Sequence, residues 1–313
     1  MEKRAFLKMT TLAIAGMTFG PARGASTATK YDSRAKLGVN VTEVPYRRNA
    51  AGRELLARVY QPEGRGPFPV LLDLHGGAWN RKDRKAEEPM DRSIAESGVL
   101  VVAIDMTIAK EAPYPACVQD AHYGVRWLKS KAAQWKGDPA TLGVFGSSSG
   151  GHVAELIGMR PRDPRYAVHP LKEAPDLDAS LLYVATRSPI SNTFARYQNA
   201  VNRKRENMMR NNTNFFRPFE TIHEANPQEI LERREKVVLL PLLVMQGALD
   251  DNVLPPDQKK FTETYRAAGG DVRFELFEGC EHEWVAEPGP QTDRAHEMVK
   301  GFIAQQLSAR RSA

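Results

Sequence analysis

The chain has 313 residues, 42% of them hydrophobic and 26% charged, with a mean hydropathy of −0.47. That balance fits a globular α/β core and excludes collagen-like, coiled-coil and multi-span membrane chains. The formal charge of +6 is spread along the chain without the aromatic platforms of a nucleic-acid binder, and two cysteines, Cys117 and Cys280, are too few for a disulfide scaffold or a Cys-based zinc module.

Residues 1–28 have the composition of an export signal. A basic run, Lys3-Arg4-Ala5-Phe6-Leu7-Lys8, precedes a mildly apolar stretch from Met9 to Phe19 that is too short to span a bilayer. The run resembles the twin-arginine signal, with lysine in place of the first arginine. Small residues between Ala22 and Ala28 supply peptidase sites. The expectation is a periplasmic or secreted protein with no stable membrane insertion once the signal is removed, and with no nucleic-acid partner.

Residues 29–313 read as one domain. Val39–Tyr46 and Glu54–Tyr60, separated by the Asn49-Ala50-Ala51-Gly52 turn, predict an amino-terminal hairpin. Apolar runs then predict buried strands at Pro69–Leu74, Val99–Ile104, Leu142–Phe145, Ala179–Val184, Leu242–Met245 and Val272–Phe277. Helical patterns lie between them at Ala116–Lys131, after Gly151 and at Pro256–Ala268. This alternation predicts an α/β fold with a mostly parallel sheet and helices on both faces. From about 187 to 236 the pattern breaks into a polar, basic stretch with helices around Phe194–Arg210, expected to form a cap over the carboxyl edge of the sheet. Within it, Phe215-Phe216-Arg217-Pro218-Phe219 is a lid candidate, with core filling between cap and body as the alternative.

Three motifs follow strands in order. Gly146-Ser147-Ser148-Ser149-Gly150 stands between a strand and a helix, where a G-x-S-x-G turn exposes its central serine, Ser148, on a strained backbone. Upstream, His75-Gly76-Gly77-Ala78-Trp79 offers backbone N–H groups clear of bulky side chains, as an oxyanion hole requires. Downstream, Asp250-Asp251 follows the next-to-last strand and His282 the last. The chain order Ser, Asp, His with each member in a loop after a strand is that of an α/β-hydrolase.

With those residues in place, the sequence resembles the α/β-hydrolase superfamily. It is similar to the acetyl esterase/lipase branch that shares H-G-G-x-W with kynurenine formamidases and hormone-sensitive-lipase-like esterases. Asp105–Pro115 is similar to that branch's D-Y-R-L-A-P-E-x-x-Y-P segment but lacks its arginine. The resemblance implies the α/β-hydrolase fold and a serine carboxylic-ester hydrolase acting on small or medium acyl esters through an acyl-enzyme, with no cofactor and no metal. Ser148 is then the nucleophile and His282 the base. Asp250, three residues after Gly247, orients the histidine, with adjacent Asp251 as its rival. Gly77, Ala78 and Ser149 supply the oxyanion N–H groups, and Gly76 shapes the turn. Trp79 and Trp284 flank these loops as candidate walls of an acyl pocket, with ordinary packing as the alternative for each. His75 and His152 are expected to brace structure. His122, His169, His223 and His296 lack metal-site spacing. An arylformamidase or amidase using the same triad is the alternative activity, and a silent binding protein on the same fold the third reading.

Overall fold

A computed structural model describes residues 31–312; the expected export signal lies outside them. The hairpin forms as β1 (Val39–Arg48) and β2 (Glu54–Pro62), antiparallel, with a register shift between Pro45 and Arg47. Strands β3 (Val70–Leu74), β4 (Leu100–Ile104), β5 (Gly143–Ser147), β6 (Val184–Arg187), β7 (Leu242–Gly247) and β8 (Val272–Phe277) complete one eight-stranded sheet in the order β1-β2-β4-β3-β5-β6-β7-β8. The pairs β1/β2 and β2/β4 are antiparallel, and the others are parallel.

Parallel strands buried on both faces read as near-continuous apolar runs, broken in β3 by the buried Asp73, and alternate side chains serve opposite cores. Leu72, Val102, Val144 and Val244 join one core with helices α2 (Ala116–Lys131), α3 (Ser149–Met159) and α8 (Pro255–Ala267). Leu71, Val101, Phe145 and Leu243 join the other, beneath α1 (Glu88–Glu96) and α9 (Pro290–Ser312). Cys117 belongs to the first core and Cys280 to the second, and both are free. The connections run from β3 out to β4 and back to β5, so the strand order reverses between β3 and β5. In open α/β sheets the crevice at that point is where ligands sit.

The expected strand at Ala179–Val184 is displaced, because β6 starts at Val184, where pairing with Val144 of β5 and Leu242 of β7 begins, and it runs on to Arg187. Apolar character ends before the ladder does. Thr186 Oγ1 donates to the Leu243 carbonyl, and Arg187 has buried partners of its own, so both polar residues are accommodated inside the sheet. The inserted segment forms α4 (Thr193–Asn202), α5 (Glu206–Phe215), α6 (Thr221–Glu224) and α7 (Pro227–Glu232).

Asp91 on α1 is fully buried, and neither carboxylate oxygen has a hydrogen-bond partner among the described residues. Burial, then the charges of Asp73 and Glu87, push this carboxyl well above the usual range. A raised carboxyl favours the fold at low pH, and that contribution is lost as pH climbs from the unfolded value of ~3.9 towards the folded one. Asp91→Asn is therefore expected to raise Tm at pH 8, with the gain shrinking towards pH 4. A gain independent of pH in thermal melts contradicts this assignment.

Candidate active site

All four loops converge at the carboxyl ends of β3, β5, β7 and β8. Ser148 has φ 51° and ψ −115°, a conformation costly for a side-chain-bearing residue and of order 1–3 kcal/mol. The turn is held from both sides. Ser148 N–H donates to the Arg187 carbonyl (2.8 Å), and the Ser148 carbonyl accepts from His152 (3.1 Å) and Ile190 (3.2 Å). Glycine is required where α3 presses on β3, since a Cβ on Gly150 would lie 1.9 Å from the Leu74 carbonyl oxygen.

Ser148, His282 and Asp250 form a continuous chain. The Ser148 hydroxyl donates to His282 Nε2 (2.9 Å), and His282 Nδ1–H donates to Asp250 Oδ2 (2.8 Å). The carboxylate only accepts, which fixes the ring proton on Nδ1 and leaves Nε2 free to take the hydroxyl proton. Asp250 Oδ1 also accepts from the N–H groups of Asn252 (3.0 Å) and Val253 (2.9 Å), and Oδ2 from Gln246 Nε2 (2.9 Å). Burial works to raise this carboxyl. The hydrogen bond and charge of His282, with Val253 and Gln246, outweigh burial and hold it below its usual value. Asp251, the rival acid, is exposed and paired with Arg205 and Arg203.

Gly77 and Ala78 line the cleft beside Ser148, both at positive φ, with N–H groups that meet no acceptor among the described residues. Gly77 has φ 100°, and a Cβ there would sit 2.1 Å from the Arg81 carbonyl oxygen. Ser149 opens α3, where a helix leaves its first N–H groups unpaired, and its hydroxyl accepts from Trp79 N–H (3.1 Å). Gly76 backs the elbow, with a Cβ position 3.2 Å from the Ser147 carbonyl oxygen.

Neither tryptophan lines the cleft, which corrects the expected pocket walls. Trp79 is 4% exposed, stacked on Phe215 at 4.6 Å between ring centroids, and its Nε1–H donates to His152 Nδ1 (3.2 Å). His152 Nε2–H donates to the Ala225 carbonyl (2.6 Å), and burial pulls the ring down to about 4, so it is neutral at pH 7. Trp284 packs on Phe277 at 5.0 Å with Arg187 over its face. The lid expectation fails for the same reason. Phe215 and Phe216 are buried against Trp79 and Tyr114, and Phe219 packs on Tyr197. Aromatic stacking here joins cap to body. His75 is buried with Nδ1 on the Gly76 carbonyl (2.8 Å). His122 contacts the Pro161 carbonyl, His169 contacts Arg47, His223 contacts Glu229, and none of them lines the cleft.

Three further residues around the triad have no role in the reading of the sequence. Gln246 bonds Asp250, Arg187 Nη1 donates to the His282 carbonyl (2.6 Å) while pairing with Glu87, and Arg196 lines the cleft. Gln246 and Arg187 lie at the carboxyl ends of β7 and β6, past the predicted apolar runs, and Arg187 stands in the sheet rather than at the expected start of the cap near 187.

The BD-FAE family matches residues 58–264. The chain belongs to the BD-FAE family. Carboxylesterase NlhH of Mycobacterium tuberculosis is 34% identical over 112 residues, 35% of this chain and 35% of that protein. The chain thus spans about a third of the length of the curated relatives it matches first. Among solved structures, Thermogutta terrifontis esterase 2 with propionate bound superposes with TM-score 0.67 at 19% identity, covering 86% of this BD-FAE member and 94% of that chain. Esterase B from Lactobacillus rhamnosis gives TM-score 0.73 at 18% identity over 90% and 91%. The BD-FAE member has the α/β-hydrolase fold of both.

Phe215→Ala removes a ring stacked at the cap–body junction. It is expected to cost about 3–5 kcal/mol in urea unfolding, the range for a buried phenylalanine, whereas an exposed lid residue would cost almost nothing.

Proposed function

We propose that this chain is an exported serine carboxylic-ester hydrolase that works through an acyl-enzyme on small or medium acyl esters. The observation that carries the reading is the unbroken Ser148–His282–Asp250 hydrogen-bond chain, whose serine and histidine line a cleft of about 520 Å³ beside Gly77 and Ala78 N–H groups that meet no acceptor among the described residues. The names of the curated relatives support it, since NlhH is a carboxylesterase.

In this mechanism the Ser148 oxygen attacks the ester carbonyl carbon while its proton passes to His282 Nε2. Negative charge develops on the carbonyl oxygen, where the N–H groups of Gly77, Ala78 and Ser149 stabilise it. As the tetrahedral intermediate collapses, the bond to the alcohol oxygen breaks and His282 gives that oxygen the proton. Water then attacks the acyl-serine, His282 takes its proton, and the acid departs as Ser148 recovers its own. Asp250 holds the ring tautomer and balances the imidazolium charge.

Export is the reading for residues 1–28, which the basic run and short apolar stretch support. Amino-terminal sequencing of the protein recovered from the periplasm or medium tests it, with cleavage between residues 22 and 28 expected and an intact Met1 opposing it.

Hydrolysis of 4-nitrophenyl esters from acetate to octanoate, measured with Ser148→Ala as control, is the direct test of activity. Turnover is expected for the shorter esters and lost in the variant. No turnover on any ester, with cleavage of an N-formyl anilide instead, moves the protein to the formamidase reading. Asp250→Asn is expected to lower kcat by about 10⁴-fold, as for an orienting aspartate in such a triad, and Asp251→Asn by much less. Equal losses contradict the assignment of the acid.

A further inference from the structure

Small-molecule sites are mostly apolar with a few placed polar groups. The cleft over Ser148 departs from that rule. Its apolar side chains are Ala78 and Met208, whereas four cations line it: Arg81, Arg196, Lys204 and Arg205. Two carboxylates, Glu206 and Glu283, share the lining. Lys82 pairs with Glu283 (3.1 Å), and Asp251 pairs with Arg205. Arg81, Arg196 and Lys204 have no carboxylate partner among the described residues.

Arg196 is a built element of the cleft and not a surface cation. It projects from α4, is 3% exposed, and its Nε donates to Asn252 Oδ1 (2.9 Å). Its guanidinium carbon lies 5.6 Å from the Trp79 ring centroid. Its Nη1 is buried with no hydrogen-bond partner among the described residues. Asn252 and Trp79 orient the group without neutralising it. The nearby Asp250 carboxylate is already taken by His282, Gln246 and two backbone N–H groups. Burial, opposed by Asp250 and assisted by Arg81, brings the guanidinium down to about 10, so it stays charged at neutral pH. Arg160 and Arg187, also buried, each face a carboxylate. An oriented buried guanidinium with a vacant donor is suited to a carboxylate, which its planar fork matches.

We propose that the cleft takes esters bearing a carboxylate, which Arg196 binds while Arg81 and Lys204 strengthen the field and the ester carbonyl rests on Ser148. The inference rests on the serine-esterase reading and names its substrate class. The carboxylate belongs to the acyl half or the alcohol half of the ester, and the test separates the two.

In one arm, kcat/KM is compared between the 4-nitrophenyl half ester of adipic acid and the 4-nitrophenyl methyl diester. Adipate is used because its chain is too long for ready attack by its own carboxylate. In the other arm, 4-acetoxybenzoate is compared with 4-acetoxybenzamide. The wild type is expected to favour the charged member about 10- to 100-fold in one arm, the range for hydrogen bonds to a charged group. The preference is expected to weaken at ~0.5 M NaCl. Arg196→Gln is expected to bring the ratio close to one. Each ratio is internal to its variant, so a general loss of folded enzyme cancels. Arg81→Gln and Lys204→Gln, at exposed positions, are expected to lower the ratio a few-fold with the core intact. A wild-type ratio of one or less in both arms, or a ratio that none of these variants moves, overturns the proposal. Turnover of the neutral members alone removes the carboxylate site and leaves the esterase reading standing, whereas no turnover of any member removes both.

Discussion

The rest of the site depends on the backbone of Ser148. A serine at φ 51° stores strain of order 1–3 kcal/mol, and it persists only where its surroundings leave no alternative. Here β5 is locked between β3 and β6, Arg187 accepts the Ser148 N–H, and α3 begins at once with its eleven residues all buried. Straightening the turn would move that helix out of the core. The cost of losing its packing exceeds the strain, so the hydroxyl stays raised at the point where strand order reverses.

Trp79 ties the next layer together. Its N–H reaches the Ser149 hydroxyl, its indole N–H reaches His152, its face stacks on Phe215, and Arg196 lies over the ring. One side chain thereby joins the Gly77-Ala78 loop, the helix behind the nucleophile, and the cap. Arg187 acts similarly on the other side, since it bonds the His282 carbonyl through Nη1 and pairs with Glu87 through Nη2. The histidine loop is thus fastened to the sheet through a buried ion pair, an arrangement in which removing either partner leaves an uncompensated charge.

Motifs confined to a single loop were legible in the sequence. Gly146–Gly150, His75–Trp79, Asp250 and His282 each follow a strand, and strand order brings them together. The parallel strands were legible because burial on both faces favours near-continuous apolar runs. Helices α1 and α9 carry a signal of a different kind, an i, i+3 and i, i+4 apolar spacing that marks one buried face rather than such a run. Their apolar residues, such as Met90, Ile94, Val299 and Phe302, are spaced among charges, and burial comes from the facing sheet and from the packing of the two helices on each other. The fate of an aromatic pair also depends on distant partners: Phe215-Phe216 reads the same whether it meets water or Trp79. Of the cationic cleft the sequence shows only the basic Arg203-Lys204-Arg205 run, which reads more readily as a solvated helix face than as an anion site, because Arg81 of the loop after β3 meets Arg196 and Lys204 only where the cap packs on the body.

The adjacent acids show how cap and triad become one mechanical unit. Asp250 turns inward to His282, while its neighbour Asp251 turns outward to Arg205 and Arg203 of the inserted segment. Asn199 on α4 also donates to the Asp251 carbonyl (2.9 Å), and Arg196 bonds Asn252. The loop carrying the orienting acid is therefore clamped between β7 and the cap. A cap displaced from this position would loosen the Asp250 loop and remove Arg196 from the cleft in one movement, so the residues that shape the pocket also hold the geometry of the proton relay.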